Sequence, residues 1–423
     1  MSSFDLNKLR AAVDGAAVAI RSITRLEPAG GSGDKVFPPT YMKGGRAETK
    51  YAMEMRLIDG NEVQTVLLDS VASQANRTEE ALLQGWLRQE LSFPVVQVDF
   101  SGEPGLEDIG QITALQAPHR IADAILRDSM LDGMLFRYTP IGRSFTDSRP
   151  ANAVGMYRYC PTALIFGVWD STGPKGGLGA KFQRCLVSEI VGIGAVAGVK
   201  TASRIDPLGI ARDAGPVYQS RDDKERWTVD GEAARKDKKG TPEIYTSKGS
   251  AEGKGKPAAI NHGNIPPSID GEAGGVTMSH AVQTTVLSLA GLRRLRFPVD
   301  VDGRPVPQDQ RVQAETAART ALAALGLAGM VYLRENDFDL RSRSLLVPVS
   351  PLRLELVGRD GGPTEQFELG RQDAAGILAA AEQSAREFNL GWDRGPVTLR
   401  PAPKLAELVR RSRALVAAGA EEE

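Results

Sequence analysis

The stretch Thr162–Lys200, TALIFGVWDSTGPKGGLGAKFQRCLVSEIVGIGAVAGVK, decides the predicted fold. It opens with an apolar run, Ala163 to Trp169, whose β-branched and aromatic residues indicate a strand. Four glycines follow within seven residues, from Gly173 to Gly179. Apolar residues then recur at helical spacing from Phe182 to Ile193. The stretch therefore predicts a strand, a glycine loop and a helix, in that order.

A glycine loop at the start of a helix leaves backbone N–H groups free to bind phosphate. Nucleotide hydrolysis is not supported, because neither Lys175 nor Lys181 follows a glycine as in a P-loop, and Phe182 replaces the third glycine of a dinucleotide fingerprint. The loop predicts a cradle that binds phosphate without cleaving it; the alternative is a tight turn with solvated lysines. The candidate residues are Ser171, Thr172, Lys175, Gly176, Gly177, Gly179, Lys181 and Arg184.

Two further segments carry polar and cationic residues at predicted helix starts. In the first, Ser73, Gln74, Asn76 and Arg77 follow a strand that ends near Leu68, and they suit a phosphate or a ribose. Simple capping by Ser73 or Asn76 is the alternative. In the second, His119 and Arg120 stand in the first turn of a helix predicted over Thr113–Ser129, where the helix dipole disfavours cations. An anion would explain them; a solvated helix face is the alternative.

Composition restricts the function classes. The chain has 423 residues and a formal net charge of −1, so any nucleic-acid binding must come from local patches. Its two cysteines, with no evident signal peptide, predict a reduced, cytoplasmic protein. No apolar run reaches the ~18 residues of a membrane span. Its three histidines lack metal-ligand spacing. We therefore predict no membrane, no metal and no cofactor.

The order of predicted elements indicates an α+β protein. Strands are predicted at Val18–Leu26, Phe93–Phe100 and Leu352–Val357, and a hairpin around Asp59-Gly60-Asn61. Helices are predicted at Arg311–Leu325, Gln372–Phe388 and Pro403–Ala418. The sequence of strand, helix, strand, strand, helix and strand is the split βαβ pattern of a ferredoxin-like core, here with long insertions.

The segment Ile205–Ser279 changes character and is rich in glycine, proline and charge. Its basic clusters, Arg235–Lys239 and Gly253–Pro257, are interspersed with Tyr218, Trp227 and Tyr245. Such a segment can neutralise phosphates and stack on bases along a nucleic-acid strand. A solvated surface insertion is the alternative.

Several stretches resemble a known family, the crRNA-binding backbone subunit (RAMP superfamily) of the type I-U/I-G CRISPR effector, or Cascade, complex. They are VLLDSVASQANRTEEAL (66–82), APHRIADAILRDS (117–129), LIFGVWDSTGPKGGLGAKFQRCLVSEIVG (164–192), AINHGNIPPSI (259–269) and TTVLSLAGLRRLRFP (284–298). The resemblance implies an RRM-like, ferredoxin-like palm with large finger and thumb insertions. It divides the chain into palm and fingers (1–204), thumb (205–279), palm (280–360) and a helical C-terminal segment (361–423). It also implies RNA contacts at Asn261 and His262.

The same resemblance implies a non-enzymatic function. Copies of the subunit would stack along CRISPR guide RNA beside other effector-complex subunits and support pairing with a target DNA strand in antiviral interference. Type III relatives cut RNA with a loop aspartate, and no equivalent aspartate aligns here. The alternative is a metal-dependent RNA nuclease that uses strand-end aspartates such as Asp69, Asp99 and Asp170.

Overall fold

The chain divides into two compact units. The computed structural model describes residues 4–44, 48–172, 179–222, 225–246, 254–361 and 364–417. The core unit comprises Met1–Asp34, Glu54–Gly194 and Met278–Glu423, and the inserted unit comprises Lys35–Met53 and Ala195–Thr277. The four-part division into palm, fingers, thumb and C-terminal segment stays a prediction, because compactness alone does not distinguish those parts.

The described residues contain both helices and strands throughout. The first strands are β1 (Ala17–Pro28), β2 (Met53–Ile58), β3 (Asn61–Asp69), β4 (Val96–Asp99), β5 (Gln111–Thr113), β6 (Ser129–Leu131), β7 (Met134–Leu135), β8 (Val168–Trp169), β9 (Lys181–Phe182), β10 (Leu186–Ile193) and β11 (Val196–Ala197). They are followed by β12 (Lys200–Arg204), β13 (Tyr218–Gln219), β14 (Trp227–Thr228), β15 (Ile265–Asp270), β16 (Val276–Thr277), β17 (His280–Ser288), β18 (Phe338–Asp339), β19 (Leu345–Pro348), β20 (Leu354–Gly358), β21 (Glu365–Phe367) and β22 (Val397–Pro401). The helices are α1 (Leu6–Ala11), α2 (Val71–Leu87), α3 (Ala124–Arg127), α4 (Pro140–Asp147), α5 (Val154–Tyr159), α6 (Thr162–Phe166), α7 (Leu289–Leu292), α8 (Arg311–Glu335), α9 (Arg371–Arg386) and α10 (Pro403–Ala417).

The large sheet of the core unit has the strand order β18-β19-β1-β17-β10-β3-β2, and β20 and β21 extend it beside β1. Strict alternation of burial along β17 turns every second side chain towards the covering helices. In β1 the same alternation buries Ile20 and Leu26 completely. The strand predicted over Val18–Leu26 is therefore confirmed.

The hairpin of β2 and β3 confirms the turn predicted at Asp59-Gly60-Asn61. Asp59 and Gly60 have φ angles of 49° and 82°. Two successive positive φ angles match the right-handed twist of the paired strands, and Asp and Gly are residues that adopt them. The turn thus fixes the register of β2 against β3, and β3 leads into α2.

Along the chain, four strands of the large sheet alternate with two helices in the order β1-α2-β10-β17-α8-β20. Strand β17 is antiparallel to both β1 and β10, so β1 and β10 are parallel to each other. Strand β20 lies antiparallel on the other side of β1. Helices α2 and α8 contact each other, α2 also contacts β10 and α8 contacts β17, so both cover one face of the sheet. This is the split βαβ order, and the predicted α+β class is confirmed.

Helix α8 lies at the centre of the core, and its residues from Ala314 to Leu333 are buried. Small residues allow its close contacts, since a Cβ at Gly326 would lie 2.9 Å from the Leu287 side chain. The predicted end at Leu325 is wrong, because the apolar residues that follow continue the helix to Glu335.

Among the described residues, α8 is also the helix whose length and composition would suffice to cross a membrane. However, 94% of its apolar window is buried inside the protein. Burial on most sides is the situation of a core helix, which explains why this window is so apolar.

The second sheet of the core unit has the order β5-β4-β22-β6-β7. Strand β22 pairs in parallel with β4 and antiparallel with β6, and so ties the end of the chain to earlier strands. Helices α9 and α10 flank β22 in the chain and confirm the two C-terminal helices predicted from the sequence.

The long helix predicted over Thr113–Ser129 is wrong. The segment contains a short 3-10 turn, Arg120–Ala122, and the four-residue helix α3. Asp123 separates them, because its extended backbone (φ −64°, ψ 150°) interrupts helical hydrogen bonding and its carboxylate caps α3 through Ile125 N–H. The periodicity at Ile121, Ile125 and Leu126 therefore reflects two short turns against one core.

The stretch Thr162–Lys200 folds differently from the prediction. The apolar run begins as helix α6, which ends at Gly167, whose φ of 80° stops the helix. Only its last two residues, Val168 and Trp169, form the predicted strand, as β8. The predicted helix from Phe182 to Ile193 is strand β9 followed by strand β10. The burial along β10 alternates over its first residues, as expected for the β-branched sequence LVSEIVGI. A short, fully buried apolar run does not distinguish helix from strand by its periodicity.

The inserted unit is built from small pairs of strands. Strand β11 pairs with β16, β12 with β15 and β13 with β14. Its buried apolar residues include Val36, Val217, Ala234 and Val276. A unit with such short strands depends on turns and bridges rather than on one wide sheet.

Candidate nucleic-acid interface

A groove of about 680 Å³ in the core unit brings together residues from several predicted sites. Its walls come from the segments around residues 118–120, 166–171, 181–185 and 291–295. Within the described part of the chain, no Asp or Glu lines it. Its basic residues are His119, Arg120, Lys181, Arg184 and Arg294. A concave surface with this charge suits an anion.

Trp169 and Lys181 face each other across one wall of the groove. They are direct partners in the pairing of β8 with β9. The Lys181 ammonium lies 5.1 Å from the centre of the Trp169 ring, within the range of a cation–π contact. Both side chains remain exposed to solvent. The wall therefore presents a positive charge next to an accessible aromatic ring.

One groove residue, Arg120, belongs to a buried ion pair. The Arg120 guanidinium donates from Nε and Nη2 to the two carboxylate oxygens of Glu79 on α2, each at 2.7 Å, and from Nη1 to the Gly167 carbonyl. Burial raises the pKa of Glu79 to about 7, although Arg120 and Arg184 counteract this rise. Arg120 is therefore buried and paired, so the alternative of a solvated helix face is wrong, while its predicted contact with RNA stays a prediction.

Arg184 is half-buried next to the Arg120–Glu79 pair. In contrast to Arg120, it has no counterion among the described residues. Among the described residues, no hydrogen bond or ion pair holds its guanidinium. Burial, followed by repulsion from Arg120, lowers the pKa of Arg184, and the attraction of Glu79 offsets only part of this effect. A partly desolvated cation without a partner is stabilised by any anion that enters. Arg294 is exposed, and its Nη1 donates to the Gln183 side-chain oxygen at 2.9 Å.

Other predicted residues surround this groove. His119 is exposed, and its backbone N–H donates to Asp123. Ser171 and Thr172 are exposed in the turn after β8, and Gly179 is half-buried just before β9. Lys175, Gly176 and Gly177 lie outside the described residues. The groove thus unites His119 with Ser171, Lys181 and Arg184, which are far from His119 in the chain.

The predicted residues of α2 lie elsewhere in the core unit. Ser70, and neither Ser73 nor Asn76, caps the helix, because its Oγ accepts from Ser73 N–H. Gln74 is fully buried, donates to Asp69 at 2.6 Å and accepts from Ser188 and Gln283 at 2.9 Å each. The structure gives Gln74 a role inside the core, where it has no surface for RNA.

Arg77, Ser73 and Asn76 line a second cleft of about 410 Å³. Arg77 is bound to Asp69 at 3.0 Å and to the Leu340 carbonyl at 2.5 Å. Glu80 and Asp337 also line this cleft and make its charge less favourable for phosphate. The first groove is therefore the better candidate for a phosphate backbone.

Asn261 and His262 belong to the inserted unit. Asn261 is exposed and adopts a left-handed conformation (φ 60°) after the turn Pro257–Ile260. His262 Nδ1 lies 3.6 Å from the Asp206 carboxylate, and its ring meets Trp227 edge-on at 6.3 Å. This small cluster offers a polar and aromatic surface of its own.

The aspartates proposed for a nuclease stand in three different settings. Asp69 is buried between Gln74 and Arg77, and Asp170 is paired with Arg137 at 2.9 Å. Asp99 bonds to the backbone and side chain of Ser101. The described residues contain no cluster of three or more acidic, histidine or cysteine side chains that would hold a metal ion. The nuclease alternative therefore gains no support.

Both cysteines are free and buried within the described structure. Burial raises the pKa of each thiol, Cys160 and Cys185, to about 11. At neutral pH both are protonated, so neither is a ready nucleophile or metal ligand.

The groove residues that were not predicted include the exposed Trp169 and Arg294. Trp169 lies in the stretch Thr162–Lys200, but the strand predicted there gave no indication that its ring is exposed. Arg294 is part of the basic sequence Arg293-Arg294-Leu295-Arg296, which was a usable signal. Only the tertiary structure shows that Arg294 faces the groove while Arg293 binds backbone carbonyls of residues 12, 13 and 17.

A known protein family matches part of the chain. Residues 20–197 match the model of a family described as CRISPR-associated protein GSU0053. The matched region contains the groove residues His119, Arg120, Trp169, Lys181 and Arg184. No curated protein matches the chain. The family match indicates a CRISPR-associated protein and supports a role in CRISPR interference.

Proposed function

We propose that this protein is a non-catalytic backbone subunit of a type I-G CRISPR effector complex. It binds guide RNA, stacks with further copies of itself along that RNA and supports pairing with target DNA in the cytoplasm. The observation that carries the proposal is the groove, which Lys181, Arg184 and Arg294 line without an ion pair and which has no carboxylate among its described lining. The family match at residues 20–197 supports the CRISPR context.

The arrangement favours binding over catalysis. A scaffold for interchangeable guides must hold phosphates and leave the base edges free for pairing. Arg184 and Arg294 provide cations that no acidic residue neutralises by a direct ion pair in the described structure. Cleavage of RNA would need a base, an acid or metal ligands near the phosphate. The lining offers His119 as an acid–base side chain and no carboxylate to hold a metal.

The first test is indifference to sequence. Affinities of the purified protein for several unrelated single-stranded RNAs of equal length should agree within about tenfold, or ~1.4 kcal/mol. Contacts to the phosphate backbone are the same for every sequence, which is the reason for this expectation. Filter binding or fluorescence anisotropy measures it. A thousandfold preference for one RNA would contradict the proposal.

The second test locates the RNA in the groove. Lys181→Ala should weaken binding of all RNAs alike and reduce the slope of log affinity against log salt by about 0.7, the value for one phosphate contact on a single strand. The melting temperature should stay unchanged, because Lys181 is exposed. Arg411→Ala on α10 is the matched control, since Arg411 is exposed and lies outside the groove. Equal salt slopes for Lys181→Ala and the wild type would place the RNA elsewhere.

A further inference from the structure

Trp169 offers the groove an accessible aromatic face. Its side chain is 55% exposed, whereas Phe166 and Phe182, which also line the groove, are buried. We infer that Trp169 is the platform on which a base of the bound single-stranded RNA stacks, while Arg184 and Arg294 hold the adjoining phosphates. This inference rests on the proposed function and names the kind of contact that the groove makes.

The ring of Trp169 is held in place before any ligand arrives. Its strand β8 pairs with β9, and this pairing fixes the backbone position from which the side chain extends. The Lys181 ammonium lies over the ring, 5.1 Å from its centre. The Arg184 stem lies next to Gly167, because a Cβ built on Gly167 would be 2.9 Å from Arg184 Cγ. The platform and the unpaired cation are therefore neighbours on one wall.

The chemistry of the groove selects a nucleotide as the occupant. An exposed tryptophan alone would suit any apolar group, but basic residues without a carboxylate require an anion as well. A nucleotide of a single strand combines a π-face with a phosphate at short distance. The groove volume of about 680 Å³ is in the range of pockets that accept a ligand of this size. Stacking also leaves the pairing edge of the base free, as a guide requires.

A double-mutant cycle between protein and RNA tests the stacking contact. The probes are an oligoriboadenylate of about six nucleotides and the same ribose-phosphate chain without bases. Removal of the bases should lower the affinity of the wild type at least about fivefold more than it lowers the affinity of Trp169→Ala. Trp169→Phe should restore most of this difference, because phenylalanine keeps an aromatic face. Lys181→Ala should keep the difference while it reduces the salt slope.

The outcomes separate this inference from the proposed function. If base removal weakens the wild type and Trp169→Ala equally, while Lys181→Ala still reduces the salt slope, RNA binds in the groove and the stacking inference is overturned. If the wild type binds neither probe, both are overturned. Melting temperatures of the two Trp169 variants confirm folding, and Trp169→Phe carries the test if Trp169→Ala unfolds.

Discussion

Replacement of Arg120 by methionine should lower the free energy of unfolding by about 3–5 kcal/mol at a pH of about 8.5. Methionine keeps much of the side-chain volume but removes both hydrogen bonds to Glu79. The Glu79 carboxylate, only 1% exposed, would then be a buried charge without its partner. Removal of one member of a buried pair is far costlier than the net contribution of the pair.

The loss should depend on pH, and its sign follows from Glu79. The pKa of this carboxyl is raised from 4.5 to about 7 in the folded protein. A raised pKa means that the folded state holds the proton more tightly than the unfolded state. The contribution of Glu79 to the free energy of unfolding is therefore fully present below pH 4.5 and is lost as the pH rises towards 7. Arg120 opposes the rise, so its removal moves the folded pKa higher and extends the loss to higher pH.

Urea unfolding of the wild type and Arg120→Met at a pH of about 5.5 and about 8.5 measures this effect. The deficit of the variant should be small at the lower pH, where Glu79 is neutral, and large at the higher pH. Glu79→Gln combined with Arg120→Met is the control, because it removes the buried charge and with it the added pH dependence. An equal deficit at both pH values would show that Glu79 stays ionised throughout.

The α+β class was predictable because its signal is local. Val18–Leu26 carries the pattern that a half-buried antiparallel strand imposes on every second residue. The Asp59-Gly60 turn has residues that accept positive φ, so the hairpin was also visible. Such features depend on neighbours within a few residues, which the sequence displays directly.

The decisive stretch shows where local signals fail. Leu164, Ile165 and Phe166 are buried to 0–1% exposure, and complete burial removes the alternation that separates strand from helix. In β10 the spacing of Leu186 and Ile190 fits both periods, so the choice depends on pairing with β17 and β3. Tertiary pairing therefore decided the secondary structure.

The candidate site was predicted in part for the same reason. Ser171, Lys181 and Arg184 are close in the chain, so their grouping survives the wrong assignment of secondary structure. Arg120 was predicted as a free cation because its partner Glu79 is distant in sequence. Arg294 joins the groove from the turn after α7, and although its basic sequence was a signal, no local pattern shows which of the neighbouring arginines faces the groove. Partners across the fold decide which cations are available to a ligand.

Charge reversal at Arg184 should have the largest effect on RNA binding. Arg184→Glu removes the cation that lacks a counterion and places a negative charge in the groove. We expect the affinity for single-stranded RNA to fall about a hundredfold, or ~2.7 kcal/mol, at about 0.1 M salt. Filter binding across a salt series measures it, and the loss should shrink as salt rises because screening weakens the repulsion. Arg411→Glu, in the exposed outer part of α10, should change binding by less than about twofold.

Arg184→Met separates a binding residue from a structural one. Burial and Arg120 disfavour the charge of Arg184 in the folded protein, as its lowered pKa indicates. A neutral side chain that keeps the stem should therefore leave the melting temperature unchanged or raise it slightly, while the RNA affinity falls about tenfold, or ~1.4 kcal/mol. Weaker binding together with undiminished stability is typical of a residue retained for its ligand. If Arg184→Met melts early and binds RNA normally, Arg184 supports the fold and the groove does not hold phosphate.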